Sequence, residues 1–142
     1  MRHFILATLF LAASFTAASQ VRFDANFESG NLGKVELLDS VKVIVSPGDT
    51  VEHLSYLIHG RFDPINPIDI SLAANANWYY FRISGIKGKQ IYLTLKDNGV
   101  LGLSYSYEGD NWMHFPLNES PRKRLDKRFD RDTVFIALYR PY

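Results

Sequence analysis

Gln90-Ile91-Tyr92-Leu93-Thr94-Leu95-Lys96 alternates polar and apolar residues without a break, with Ile91, Leu93 and Leu95 on one side. A side-chain period of two is the mark of a half-buried β-strand. Asp97-Asn98-Gly99 follows and turns the chain. Working outward, the same grammar recurs. Residues 78–84, with Trp78, Tyr79, Tyr80 and Phe81, form an aromatic β-type run ended by Gly85, and residues 85–89 read as a hairpin turn. Residues 103–107 and 112–117 flank Glu108-Gly109-Asp110-Asn111, a hairpin-type turn. Residues 124–129 alternate, and residues 133–139 form a strong final strand. Upstream, residues 34–38 and 41–45 are two short runs with Asp39-Ser40 as a tight turn between them, and Pro47-Gly48-Asp49 stops the second. About seven to nine short strands between frequent turns predict an all-β, antiparallel β-sandwich. Period-two alternation places Leu37, Val43, Tyr80, Leu93, Leu95, Phe129, Phe135 and Ala137 in its core.

Residues 51–76 break the pattern. His53 to His59 fits a strand or one helical turn, while Asp63-Pro64, Asn66-Pro67 and Ala73-Ala74-Asn75-Ala76-Asn77 interrupt any regular element. The stretch reads as a long surface connection with one short strand near residues 68–72. A long loop in a compact domain is uncommon and often functional, but the role of residues 50–76 is not legible in the sequence.

The N-terminus reads as a targeting segment. Met1-Arg2-His3 is a short positive region, residues 4–13 are an apolar run, and Ala17 and Ser19 are small residues placed for cleavage before Gln20. That order is a secretory signal peptide, and its apolar run is too short to span a bilayer. The expected organisation is a signal peptide over residues 1–19 and a β-sandwich over residues 20–142, exported to the periplasm or secreted, with no membrane span after signal removal. Of the 16 Lys and Arg residues only Arg2 lies in the leader, which holds no acid, so the mature chain balances 15 basic against 15 acidic residues. Neutrality argues against electrostatic nucleic-acid binding. The chain has no Cys, so no disulfide framework supports the fold.

Recognisable catalytic spacing is missing. The four His are His3, His53, His59 and His114, and none opens an H-E-x-x-H motif. There is no G-x-S-x-G elbow and no phosphate-cradling loop. The sequence therefore predicts no catalytic residue, no metal ligand and no cofactor in this chain. Trp78, Tyr79, Tyr105, Tyr107 and Trp112 fit a stacking platform for a glycan or peptide, and equally an aromatic core cluster. Residues 108–111 fit a calcium loop, but Gly, Asp and Asn are also what a plain turn demands.

Four blocks carry a resemblance. Phe23-Asp24-Ala25-Asn26-Phe27-Glu28-Ser29-Gly30-Asn31-Leu32-Gly33-Lys34-Val35 resembles the opening of the N-terminal β-sandwich domain of zinc metallocarboxypeptidases of the cytosolic-carboxypeptidase-like subfamily, here of a secreted bacterial type. Trp78-Tyr79-Tyr80-Phe81-Arg82-Ile83 is similar to that family's W-[YF]-[YF]-F-R strand. Residues 105–112 resemble its Y-S-x-D-G-x-x-W hairpin, and Asp132-Thr133-Val134-Phe135-Ile136-Ala137 followed by Pro141-Tyr142 resembles its last strand and P-Y junction. The blocks lie in the family's order, with only residues 50–70 unmatched.

In that family a catalytic domain begins after the junction and supplies an H-x-x-E pair, a later His for zinc and a Glu general base. It removes C-terminal amino acids, including glutamates, from peptides and proteins. None of those residues occurs here, so the zinc and the activity would belong to a catalytic domain absent from this chain. The resemblance implies a non-catalytic accessory domain whose partners are a carboxypeptidase catalytic domain or a second copy. The alternative is a free-standing secreted module that binds a glycan or peptide on its aromatic face. The candidate interface residues are Trp78, Tyr79, Tyr105, Tyr107, Trp112, Tyr139, Pro141 and Tyr142, with Leu57, Ile58 and Phe62 as further apolar contributors.

Overall fold

A computed structural model describes residues 20–61, 79–96, 102–122 and 124–138. The expected leader, Phe62, Trp78, Tyr139, Pro141 and Tyr142 lie outside the described residues. Among the described residues nine strands follow in chain order: β1 (Arg22–Asp24), β2 (Val35–Ser46), β3 (Asp49–Ile58), β4 (Tyr80–Ser84), β5 (Gln90–Leu95), β6 (Ser104–Ser106), β7 (Met113–His114), β8 (Arg124–Arg128) and β9 (Thr133–Ala137). They form two sheets, one of five strands in the order β1-β4-β9-β6-β7 and one of four in the order β2-β3-β5-β8. The architecture is an all-β sandwich.

The alternation of the sequence sets the layers. On β5, Ile91, Leu93 and Leu95 turn inward, and Leu125 of β8 lies directly opposite Leu93. From the facing sheet, Phe81 and Ile83 of β4 and Val134 and Ile136 of β9 complete the central core with Phe129, Phe115 and Ile58. The outward residues of β4 and β9 are not solvated. Tyr80, Phe135 and Ala137 lie under a second, smaller cluster with Phe27 and Trp112. The five-stranded sheet is thus covered on both faces, which explains its dense aromatic content.

Five expectations change. Asp39-Ser40 is not a turn: β2 is one strand of twelve residues, and an irregularity between Leu37 and Asp39 lets it continue against β3. The turn of this hairpin is at Pro47-Gly48, where Gly48 takes a φ of 81°. Of the two readings of residues 53–59 the strand holds and the helical turn does not, and the start of the expected surface connection is β3 (Asp49–Ile58), an interior strand, because Val51, Leu54, Tyr56 and Ile58 supply the inward face. Residues 85–89 do not close a hairpin either; β4 and β5 belong to different sheets, so this segment crosses the sandwich, with Ile86 fully buried. The sheets are not wholly antiparallel, since β3 and β5 pair in parallel from His53↔Gln90 to Ile58↔Leu95. Parallel neighbours need a crossover, and here the chain passes through β4 of the other sheet in between. Lastly, Leu37 is 57% exposed rather than core, because β2 is the outermost strand of its sheet.

Candidate functional site

The opening motif builds one wall of an aromatic cleft. After β1 the chain tightens, with the Gly30 amide donating to the Phe27 carbonyl at 3.0 Å. Ser29 takes a φ of 61°, in the left-handed region that costs a non-glycine residue about 1–2 kcal/mol. Asn31 then pairs with Tyr80 through both main-chain bonds, at 2.8 and 3.0 Å. Its side chain, buried, donates to the Arg61 carbonyl and accepts from the Arg61 amide at 3.4 and 3.2 Å. Gly30 and Gly33 serve close approach rather than positive φ. A Cβ on Gly30 would lie 2.1 Å from the Ala25 carbonyl oxygen, and one on Gly33 would lie 2.5 Å from that of Gly60.

The β6–β7 hairpin builds the other wall. The Ser106 hydroxyl accepts from the Glu108 and Gly109 amides at 3.3 and 2.9 Å, and Gly109 turns at a φ of 91°. The Trp112 indole N–H donates back to the Gly109 carbonyl at 3.2 Å. This fixes the indole edge-on against Tyr80, with ring centroids 5.5 Å apart, while Phe27 meets Tyr80 from the other side at 4.8 Å. Between the walls lies a cleft of about 560 Å³ with Phe27, Tyr80, Trp112 and Phe135 in its lining and Glu28 and Asp110 as its described charged residues. Its described lining contains no His, and Ser29 supplies its only aliphatic hydroxyl. Among the described lining residues no nucleophile–base pair is assembled.

The sequence-predicted aromatic residues divide. Tyr79 is fully buried and Trp112 is 8% exposed, so neither presents a free ring face to a sugar. Tyr105 and Tyr107 are half-buried on the same sheet; Tyr105 stacks on Phe115 at 4.4 Å, and the Arg131 guanidinium lies 4.5 Å over the Tyr107 ring. Burial pushes the Tyr107 phenol up, with Asp130 adding to the shift. Leu57 is half-buried and Ile58 fully buried in the core, so the described part of that segment adds no apolar patch.

The ionisable groups are paired locally. Glu36 binds Lys34 at 3.1 Å and His59 at 2.5 Å, and those two partners, Lys34 foremost, hold its carboxyl below the usual carboxylate range. Asp24 is held low by the Asn26 amide, with the Arg82 guanidinium adding to it against the opposing effect of burial. Arg82 points outward on β4, half exposed, and its guanidinium lies 5.9 Å over Phe135. His53 lies near the Tyr92 hydroxyl at 3.4 Å, and His114 bonds Ser104 at 3.0 Å. Among the described residues no three His, Asp or Glu side chains converge to hold a metal.

The fold defines a class of protein, a two-sheet β-sandwich with one parallel pair inside the four-stranded sheet. Comparison with solved structures places that fold. A metallo-carboxypeptidase from Burkholderia cenocepacia matches 87% of this chain at 18% identity, with a TM-score of 0.52. A metallo-carboxypeptidase from Pseudomonas aeruginosa, solved in complex with (2-guanidinoethylmercapto)succinic acid, matches 85% at 18% identity, with a TM-score of 0.51. In both cases the chain spans about 30% of the length of the protein it matches. No protein-family model and no curated protein matches the sequence. The shared property is the fold, found here as part of longer bacterial metallo-carboxypeptidase chains.

Proposed function

We propose that this chain is a non-catalytic accessory β-sandwich, equivalent to the N-terminal domain of cytosolic-carboxypeptidase-like metallocarboxypeptidases, that packs on and supports a zinc peptidase domain. One observation carries the reading. The fold matches over most of this chain but over only 30% of two solved metallo-carboxypeptidases, as an accessory part of a larger enzyme would. The four ordered sequence blocks agree with it, since the first three build the walls and floor of the aromatic cleft. In this reading zinc, the general base and peptide hydrolysis lie in the partner domain. The β-sandwich contributes a rigid surface, because tight turns at Gly30 and Gly109 fix its exposed loops on a fully packed sheet.

The test is capture of the partner. The full chain, tagged and expressed in its native host, is expected to retain a protein carrying an H-x-x-E zinc peptidase domain, encoded beside it or in the same reading frame. Adding the chain should raise the thermal stability of that domain. If no peptidase domain is retained and the coding region after Tyr142 holds no H-x-x-E frame, the reading is wrong.

A further inference from the structure

We infer that β2 is a self-pairing edge, and that its occupant is β2 of a second copy of this chain in antiparallel register. The inference goes beyond the accessory reading and does not depend on it. β2 is the outermost strand of the four-stranded sheet and pairs only with β3 among the described strands. Among the described residues no strand lies along its other edge, whose main-chain donors and acceptors are a template for another strand. Seven large apolar side chains are exposed among the described residues, and five of them lie on β2: Leu37, Leu38, Val41, Ile44 and Val45, each between 47% and 77% exposed. Soluble domains rarely leave apolar side chains gathered on an open edge.

The hairpin also reaches past its support. β5 joins β3 only from His53 onward, so among the described residues the pairs from Lys42↔Glu52 to Ser46↔Asp49 have no third strand beside β3. A two-stranded ribbon alone is marginally stable in water. A strand added along β2 would widen it.

The sequence of β2 selects a second copy as that strand. A two-fold axis at Val41 sets Val41 against itself and brings Leu37 and Leu38 of each copy beside Ile44 and Val45 of the other. All five exposed apolar residues then meet one another. The charges agree, since Glu36 and Asp39 lie in the first half of the strand and Lys42 in the second. Antiparallel pairing about Val41 sets Glu36 opposite Ser46, Asp39 opposite Val43 and Lys42 opposite Ser40, so no like charges face each other, whereas parallel in-register pairing would set each charge against itself; such isologous contacts are the commonest route to dimers. Twelve residues span about 40 Å. Such an edge covers on the order of 400–600 Å² per copy, less than the roughly 800 Å² per partner of a stable interface. The dimer is therefore weak and concentration-dependent.

Analytical ultracentrifugation of the mature chain over a concentration series is the test. The expected result is a reversible monomer–dimer equilibrium that Val41→Lys weakens by about tenfold or more, because it places like charges face to face at the axis. Leu117→Lys, at an exposed apolar residue elsewhere, should leave the equilibrium unchanged. Near-ultraviolet circular dichroism checks that both variants are folded. Because the chain has no Cys, single-cysteine variants report register: Val41→Cys should form a disulfide-linked dimer under mild oxidation, and Val35→Cys should not. A chain that stays monomeric at roughly millimolar concentration, or a dimer indifferent to Val41→Lys, overturns the inference. A monomer that captures a peptidase domain and loses it on Val41→Lys also overturns it and assigns the edge to that domain. Failure of peptidase capture with an intact Val41-dependent dimer removes only the accessory reading.

Discussion

Replacing Gly30 with Ala should unfold this domain far more readily than its size suggests. The added Cβ would lie 2.1 Å from the Ala25 carbonyl oxygen, 2.8 Å from its carbon and 3.0 Å from the Phe27 carbonyl oxygen. All three are main-chain atoms, so no side chain can swing aside, and the segment must open by about 1.3 Å or more to reach ordinary contact. Opening threatens three hydrogen bonds: Gly30 to Phe27 at 3.0 Å, Asn31 to Tyr80 at 2.8 Å and Tyr80 to Asn31 at 3.0 Å. At about 1 kcal/mol net each, their loss costs about 3 kcal/mol. For a domain of this size, that lowers the melting temperature by roughly 10–15 °C. Gly48→Ala supplies the contrast. Gly48 has nothing within 4 Å of a built Cβ but a φ of 81°, so only left-handed strain of about 1–2 kcal/mol applies. Urea unfolding followed by tryptophan fluorescence measures both variants, with an unchanged slope showing that only stability moved. The reasoning is refuted if Gly30→Ala lies within about 1 kcal/mol of the parent, or costs no more than Gly48→Ala.

Further outcomes follow from the packing and the charges. Trp112→Ala should destabilise the fold by about 3 kcal/mol by uncovering Tyr80; a fully stable variant that has lost polysaccharide retention would instead support a glycan platform. Glu36 has its folded pKa below its unfolded value, so the stability it contributes is present above the unfolded pKa and is lost as pH falls through the folded one. Denaturation curves of Glu36→Gln between about pH 5 and pH 2 should show a shallower acid limb than the parent, and an identical limb would exclude the Lys34–Glu36–His59 group as its source. Export should remove residues 1–19, and an N-terminus near Gln20 by mass spectrometry is the expected readout. Elemental analysis of the purified chain should find zinc below one equivalent; one bound zinc, lost on replacing His53, His59 or His114, would put metal chemistry in this domain.

Much of the sandwich was written in local patterns. Ile91, Leu93 and Leu95 alternate because β5 has one core face and one more solvated face, and all three are buried as the period requires. The hairpin at residues 107–112 was equally legible, because Gly109 needs a positive φ whatever surrounds it. What stayed hidden depends on neighbours distant in sequence. Nothing local tells that β3 lies in parallel beside β5, because their pairing is made across an intervening strand of the other sheet. The cleft shows the same division. The aromatic residues were legible as a group, but only the two walls folding over Tyr80 decided that Trp112 is a cover for the sheet and not an open platform. β2 is the clearest case. Val41-Lys42-Val43-Ile44-Val45 has the composition of an interior strand, and residue type alone assigns its side chains to a core. Burial requires a neighbour on the far side, and strand order places β2 at the rim of its sheet. Composition thus determined that β2 would be a strand, and tertiary position decided that its apolar side chains would face outward as a surface.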